Sequence, residues 1–137
     1  MTAARQIKAV LIEYLEGCEL DAEISIVDAD QRSGFDLPVL AVSVAGIEAH
    51  SQALSMVHRA DVSITLRSHS GDETEADILA WSDSIESALH DSSSLAGVFS
   101  NADMTVYEWI YAGSETSWYE STSEVTFSAS LLVQRIG

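Results

Sequence analysis

The sequence predicts an α+β fold: one domain, with a mostly antiparallel sheet of about four to five strands and two amphipathic helices packed on it. Three observations lead there. Even positions from Met56 through His58, Ala60, Val62, Ile64 and Leu66 are apolar or amphipathic, while Arg59, Asp61, Ser63, Thr65 and Arg67 are polar. Period two of this kind marks a strand with one buried and one wet face. After a polar turn at Ser68 to Asp72, the period changes: Ile78, Trp81, Ser82, Ile85 and Leu89 follow helical spacing, with Leu79 and Ala88 widening the stripe. Third, the closing stretch alternates again. Val125, Phe127, Ala129, Leu131 and Val133 fall on one side, and Glu124, Thr126, Ser128, Ser130 and Gln134 on the other, with Leu132 the exception.

The remaining elements follow in order. Thr2 can cap a first helix whose apolar positions are Ile7, Val10, Leu11, Tyr14 and Leu15, with Gly17 as its stop. Glu23 to Val27 is a short strand, and Asp28 to Asp36 a turn-rich surface loop. Pro38, the only proline, leads a compact apolar strand, Val39 to Val44, that ends at Gly46. The segment Ile47 to Ser55 reads equally as a loop or a helical turn. Asp72 with Glu75 forms a capping pair, and Glu73 and Asp77 suit a helix N-terminus. Asp91 to Ser94 is a polar break, and Leu95 to Phe99 packs only briefly. In Met104 to Ala112, Met104, Val106, Ile110 and Ala112 point one way, interrupted by Glu108. Tyr107, Trp109 and Tyr111 point the other way, and a turn around Gly113 follows.

Composition sets limits on function. With 137 residues the chain is a single domain, and 47% apolar content supports a folded core. Twenty-two acidic residues against six basic ones give a formal charge of −16, a surface that repels nucleic acid and anionic membranes. One cysteine, Cys18, leaves no internal disulfide and no multi-cysteine zinc site. The first residues lead into an amphipathic helix rather than a signal peptide, and no apolar run approaches the roughly 20 residues of a membrane span. A soluble product made in the cytoplasm is the expectation.

Motifs for chemistry are missing. His50, His58, His69 and His90 share no metal-ligand spacing, and G-x-S-x-G and G-x-G-x-x-G are both absent. His58, on the apolar side of the long strand, reads as a semi-buried imidazole, and His90 suits a helix C-terminus. Acidic pairs such as Asp28 with Asp30 read as solvated loop charge, not cation ligands. No enzyme, metal or cofactor is implied. Aromatics are the exception to this blandness: Tyr107, Trp109, Tyr111, Trp118 and Tyr119 exceed what a core requires, and Trp and Tyr are favoured at interfaces. The long strand, about 40 Å if regular, also outruns the roughly 28 Å of helix that follows it, so an end of it should lie bare and need a partner. The expected interface residues are therefore Arg59, Asp61 and Arg67 on the long strand and Tyr107, Trp109, Tyr111 and Trp118 in the aromatic region. On this reading Trp109→Ala weakens assembly more than it lowers the melting temperature.

The layout resembles the tail terminator (tail completion) proteins of long-tailed bacteriophages. The likeness lies in the helix Ile7 to Leu15, the strand Pro38-Val39-Leu40-Ala41-Val42, the long strand His58-Arg59-Ala60-Asp61-Val62-Ser63-Ile64-Thr65-Leu66, the acidic turn, the Ile78, Ile85 and Leu89 helix, and a closing hairpin with Phe127, Leu131 and Val133. The resemblance implies a small domain that assembles as a hexameric ring in the virion. Such a ring caps the tail tube, ends its polymerisation and joins it to a head-side connector or stopper protein. DNA would pass through its lumen without specific binding, and acidic charge there would keep it from sticking. Another neck component, or a small soluble non-viral α/β binding module, are the competing expectations.

Overall fold

The structure, a computed structural model, describes residues 3–30, 37–49, 57–69 and 72–135; of 46–49 and 72–74 it describes the backbone alone. The elements are α1 (Ala3–Gly17), β1 (Ser25–Asp28), β2 (Val39–Ala49), β3 (Val57–His69), α2 (Asp72–His90), α3 (Ser92–Asn101), β4 (Met104–Trp118) and β5 (Thr122–Arg135). The strands form one sheet in the order β1-β2-β3-β5-β4, antiparallel except for the parallel β1–β2 pair. The α+β class and the mostly antiparallel sheet are thus as the periodicity predicts.

All three helices lie on one face of this sheet. Its buried side is the alternating set Ala60, Val62, Ile64, Leu66 of β3 with Val125, Phe127, Leu131 and Val133 of β5. Ile7, Leu11 and Leu15 of α1, Ile78, Ile85 and Leu89 of α2, and Leu95 and Phe99 of α3 close over it in a single cluster. Period two in the strands and period 3.6 in the helices therefore meet in one core. The second face of the sheet has no helix over it among the described residues.

Several boundaries differ from the sequence reading, each for a local reason. The serine-rich break is the start of a third helix, because Asp91 acts as its N-cap: Ser94 N–H donates to Asp91 Oδ1 at 3.1 Å, and Ser94 Oγ to Oδ2 at 2.7 Å. β2 runs through Gly46 to Ala49, with an irregularity between Ala45 and Glu48 instead of a stop. The turn expected around Gly113 is a bulge inside β4, where Gly113 takes φ +111°; the hairpin turns later, and Tyr119 N–H donates to the Thr122 carbonyl at 2.8 Å. β3 is not left bare at either end, since β5 pairs with it from Val57↔Gln134 to His69↔Thr122, and Val57 and Ser68 are both buried. Leu79 does not widen the buried stripe of α2; it is 57% exposed. The Thr2 cap, most of the loop before Asp36, the 50–55 segment with His50, Met56 and the 70–71 part of the polar turn lie outside the described residues, as do the side chains of the Asp72–Glu73 start of α2.

α1 is tied to the sheet edge by a buried lysine. Lys8 Nζ lies 2.9 Å from Asp28 Oδ1 at the end of β1 and 2.6 Å from Asp30 Oδ2, with its side chain 8% exposed. The hydrogen bond to Asp30 holds the ammonium above its usual range. Burial opposes ionisation of Asp28, but the Asp30 N–H and Lys8 outweigh it and hold its carboxyl below the usual 3.8. Lys8→Met, which keeps the apolar stem and strands Asp28 without its cation, should cost about 1–3 kcal/mol at neutral pH. A raised lysine pKa contributes fully until the pH climbs through it, and a depressed carboxylate pKa contributes until the pH falls through it. The difference from wild type in urea midpoint should thus hold from about pH 5 to about pH 9 and shrink in acid below about pH 4. A difference that persists unchanged in acid would refute the ion-pair account.

Candidate functional surface

The uncovered face of the sheet is built in rows that cross the strands. One row runs Ser43–Ser63–Ser128–Gly113 over β2, β3, β5 and β4. On one side of it stand Ala45, Asp61, Ser130 and Ile110, and on the other Ala41, Thr65, Thr126 and Glu115. Because the central row carries nothing longer than a hydroxymethyl group, the face sinks there into a depression of about 400 Å³, with Ile110 at its side. Ile110 is 51% exposed, a large aliphatic side chain facing water.

Both arginines of this face are ion-paired. Arg59 Nη1 lies 3.6 Å from Glu108 Oε1 across the sheet and donates to Ser130 Oγ at 3.3 Å. At the other end Arg67 donates from Nε and Nη2 to Glu124 Oε1 at 3.0 and 2.7 Å. Of the six basic residues of a chain with formal charge −16, two are here. Exposed pairs of this kind contribute little to stability, about 0–1 kcal/mol. Asp61, Glu108, Glu115 and Glu124 outnumber these two arginines, so the face shares the acidic balance of the chain as a whole.

The predicted interface residues do not all gather here. Arg59, Asp61 and Arg67 do, on the wet side of β3 as their alternation requires. Trp109 and Tyr111 are on the opposite, helix-covered side, contrary to the outward position expected of them. A bulge between Val106 and Glu108 shifts the alternation of β4 by one residue, so that Val106, Trp109 and Tyr111 pair with Val133, Leu131 and Ala129. The same shift puts Ile110 on the open face, not with Met104. Trp109 Nε1 donates to the Leu89 carbonyl at 2.7 Å. Tyr111 donates to Glu86 Oε2 at 2.8 Å and meets the His90 ring edge-on at 4.8 Å. Burial, then the Glu86 contact, pushes the Tyr111 hydroxyl up to about 12. Tyr107 sits in the bulge, 58% exposed, its hydroxyl donating to Gln134 Oε1. Trp118, 50% exposed beside Tyr119, is at the hairpin tip and pairs with Ser123 of the covered face.

No protein-family model and no curated protein matches this chain.

A groove of about 640 Å³ opens elsewhere, where α1, α2 and α3 meet, lined by Tyr14, Cys18, Ser84, Ala88, Asp91 and Ser94 among others. Tyr14, Asp91 and Ser94 are engaged within the fold. The Tyr14 hydroxyl donates to the Ala88 carbonyl at 2.5 Å, and burial raises both that phenol and the Cys18 thiol above their usual ranges. A thiol pushed up in this way is a poor nucleophile at neutral pH. His58 is on the covered side of β3, where burial and then Arg135 hold its imidazole below the usual 6.5; its Nε2 has no hydrogen-bond partner among the described residues. Among those residues no three His, Cys, Asp or Glu side chains cluster as a metal site would need, and no helix is long and apolar enough to cross a membrane.

Sequence reasoning missed Ile110, Leu79 and the serine row. Glu108 was the available signal: a carboxylate in an otherwise apolar set marks the point where the alternation slips.

Proposed function

We propose that this chain is a virion structural protein, the subunit of a ring, with six copies expected, that caps a phage tail tube and joins it to the head. The observation that carries the reading is the uncovered sheet face with its serine-lined depression and exposed Ile110. A protein that works by contact needs such a surface more than it needs a reactive group. The likeness of layout to tail terminators supports the same reading, as does the acidic charge, which would let DNA pass through a lumen without adhering.

Tail tube protein would meet one side of the ring and a head-side connector or stopper the other. Native mass measurement of the purified chain, alone and with tail tubes, tests this. A six-subunit mass on tubes is expected, with micrographs placing it at the tube end; a location elsewhere in the neck would make it another head–tail component. The helix-lined groove is what favours the second reading, a small soluble non-viral α/β binding module. A fixed dimer indifferent to tubes would favour that module, and a monomer at every concentration would overturn the ring.

A further inference from the structure

We infer that the outer edge of β4, from Gly113 to Trp118, pairs antiparallel with the same stretch of a second copy, about a two-fold axis at Thr116. β4 is the last strand of the sheet, and among the described residues only β5 pairs with it. Both of its bulges come before Gly113, and from Gly113↔Ser128 to Trp118↔Ser123 the register is regular. Natural edges are kept from such pairing by lysine, proline, a bulge or a covering element. This stretch has no lysine and no proline, and Ser114 to Trp118 are all exposed. α2 reaches it at Ser114, whose hydroxyl donates to Glu86 Oε2 at 3.5 Å, and leaves the edge itself open. The opposite edge of the sheet, β1, has four residues and is tied to α1 through Asp28 and Lys8.

The hydrogen-bond phase of the hairpin decides which groups face outward. Tyr119 N–H donates inward to the Thr122 carbonyl. Bonded residues alternate in an antiparallel pair, so Ser117 and Glu115 bond inward to β5. The N–H and C=O of Ser114, Thr116 and Trp118 therefore point away from the sheet. Such a row of donors and acceptors takes one kind of occupant, another extended strand. The same stretch of a second copy fits it in one register. With Thr116 opposite the partner's Thr116, Ser114 meets the partner's Trp118 and Trp118 the partner's Ser114, about six main-chain hydrogen bonds in all. An axis at Ser114 would instead set Thr116 against the partner's Ala112, in the bulge, and an axis at Trp118 would set it against the partner's Glu120, past the end of the strand.

The side chains agree with that register. Trp118, 50% exposed, comes beside the partner's Ser114, so a large ring meets a small neighbour. On the other face Glu115 stands opposite the partner's Ser117, and no two carboxylates are directly paired. The contact is small, about six residues from each copy, far below the ~800 Å² per partner of a standard interface. Pairing is therefore weak, and repulsion between two chains of formal charge −16 weakens it further at low salt. A two-fold contact also closes on itself. It goes beyond the ring reading, as a state of the free chain, and does not supply the head-to-tail contacts of a ring.

The test uses the full chain without tubes, at up to about 1 mM. On a Cys18→Ser background, Glu115→Cys and Ser117→Cys chains are oxidised mildly, each alone and as an equal mixture. Position 115 of one copy and 117 of the other are directly opposite, ~4.5 Å apart at Cα, whereas 115 and 115 are two residues out of step and beyond disulfide reach. The mixture should give linked heterodimers, and each chain alone very few. Sedimentation of the wild-type chain should show pairing that tightens from about 0.05 M to about 0.5 M salt. Thr116→Pro removes the central outward N–H and should raise the dissociation constant about tenfold or more. Should that proline unfold the chain, Trp118→Ser takes its place, with an expected rise of about threefold or more. A wild-type chain that stays monomeric, single-cysteine chains that link to themselves as readily as to each other, pairing that salt weakens, or wild-type pairing in the folded variant each overturn this contact. The ring reading is judged on tubes and stands or falls apart from all of these outcomes.

Discussion

Replacing Trp109 with alanine is expected to destabilise the folded chain by about 2–4 kcal/mol and to leave association between folded chains unchanged. The indole is half-buried between β4 and the end of α2, and its N–H donates to the Leu89 carbonyl at 2.7 Å, in the last turn of that helix. A carbonyl there has no N–H partner further along the helix, so the indole fills an intrinsic gap. Removal opens a hole beside Leu89 and Leu131 and takes the donor away as well. For a domain of this size that is a fall of about 10 °C in melting temperature, with any self-association unaltered once corrected for the unfolded fraction. Trp109→Phe separates the two terms, as it keeps most of the ring contact and loses only the hydrogen bond. Its cost should be about 1 kcal/mol. Should Trp109→Ala melt like wild type and assemble poorly, the side chain would be at an interface and the bulge argument would fail.

Trp109 also shows where a sequence stops being legible. β3 and β5 announce themselves because one face of the sheet is buried and the other is wet, and alternation records that difference residue by residue. β4 has the same two environments, but the extra residue at Tyr107 reverses the alternation, and the bulge at Gly113 reverses it again. Counting in twos across an insertion assigns Trp109 and Tyr111 to the wrong side, and no composition signal corrects the count except Glu108. In α2 the reading fails by angle. Ile78, Trp81, Ile85 and Leu89 make a narrow stripe, and Leu79, about 100° further round the helix, falls off it. The parallel β1–β2 pair and the shared serine row are non-local, decided by which strands become neighbours. Arg59, Asp61 and Arg67 were visible as a wet edge of a strand; that they flank a recess was not.

Phe99→Ala should be the most damaging of the substitutions considered, at about 3–5 kcal/mol, a large fraction of the roughly 5–15 kcal/mol that holds a domain together. Phe99 is fully buried, with Leu95 one helical turn before it, and α3 presses these two side chains against α1 and β4. The sequence Ser92-Ser93-Ser94 looks like a loop because serine competes with helical backbone bonding inside a helix. At the first turn the same chemistry assists, since donors there have no carbonyl four residues back and Asp91 accepts from the Ser94 N–H. Leu95 and Phe99, spaced by four, then give one buried stripe to a helix too short to persist without it. Urea titration followed by both helix content and tryptophan emission distinguishes the possibilities. If α3 is part of the single core, Phe99→Ala shifts both transitions to lower urea together. A loss of helix content without a change in the tryptophan transition would mean that α3 melts alone, and that α1 and the sheet hold each other without it.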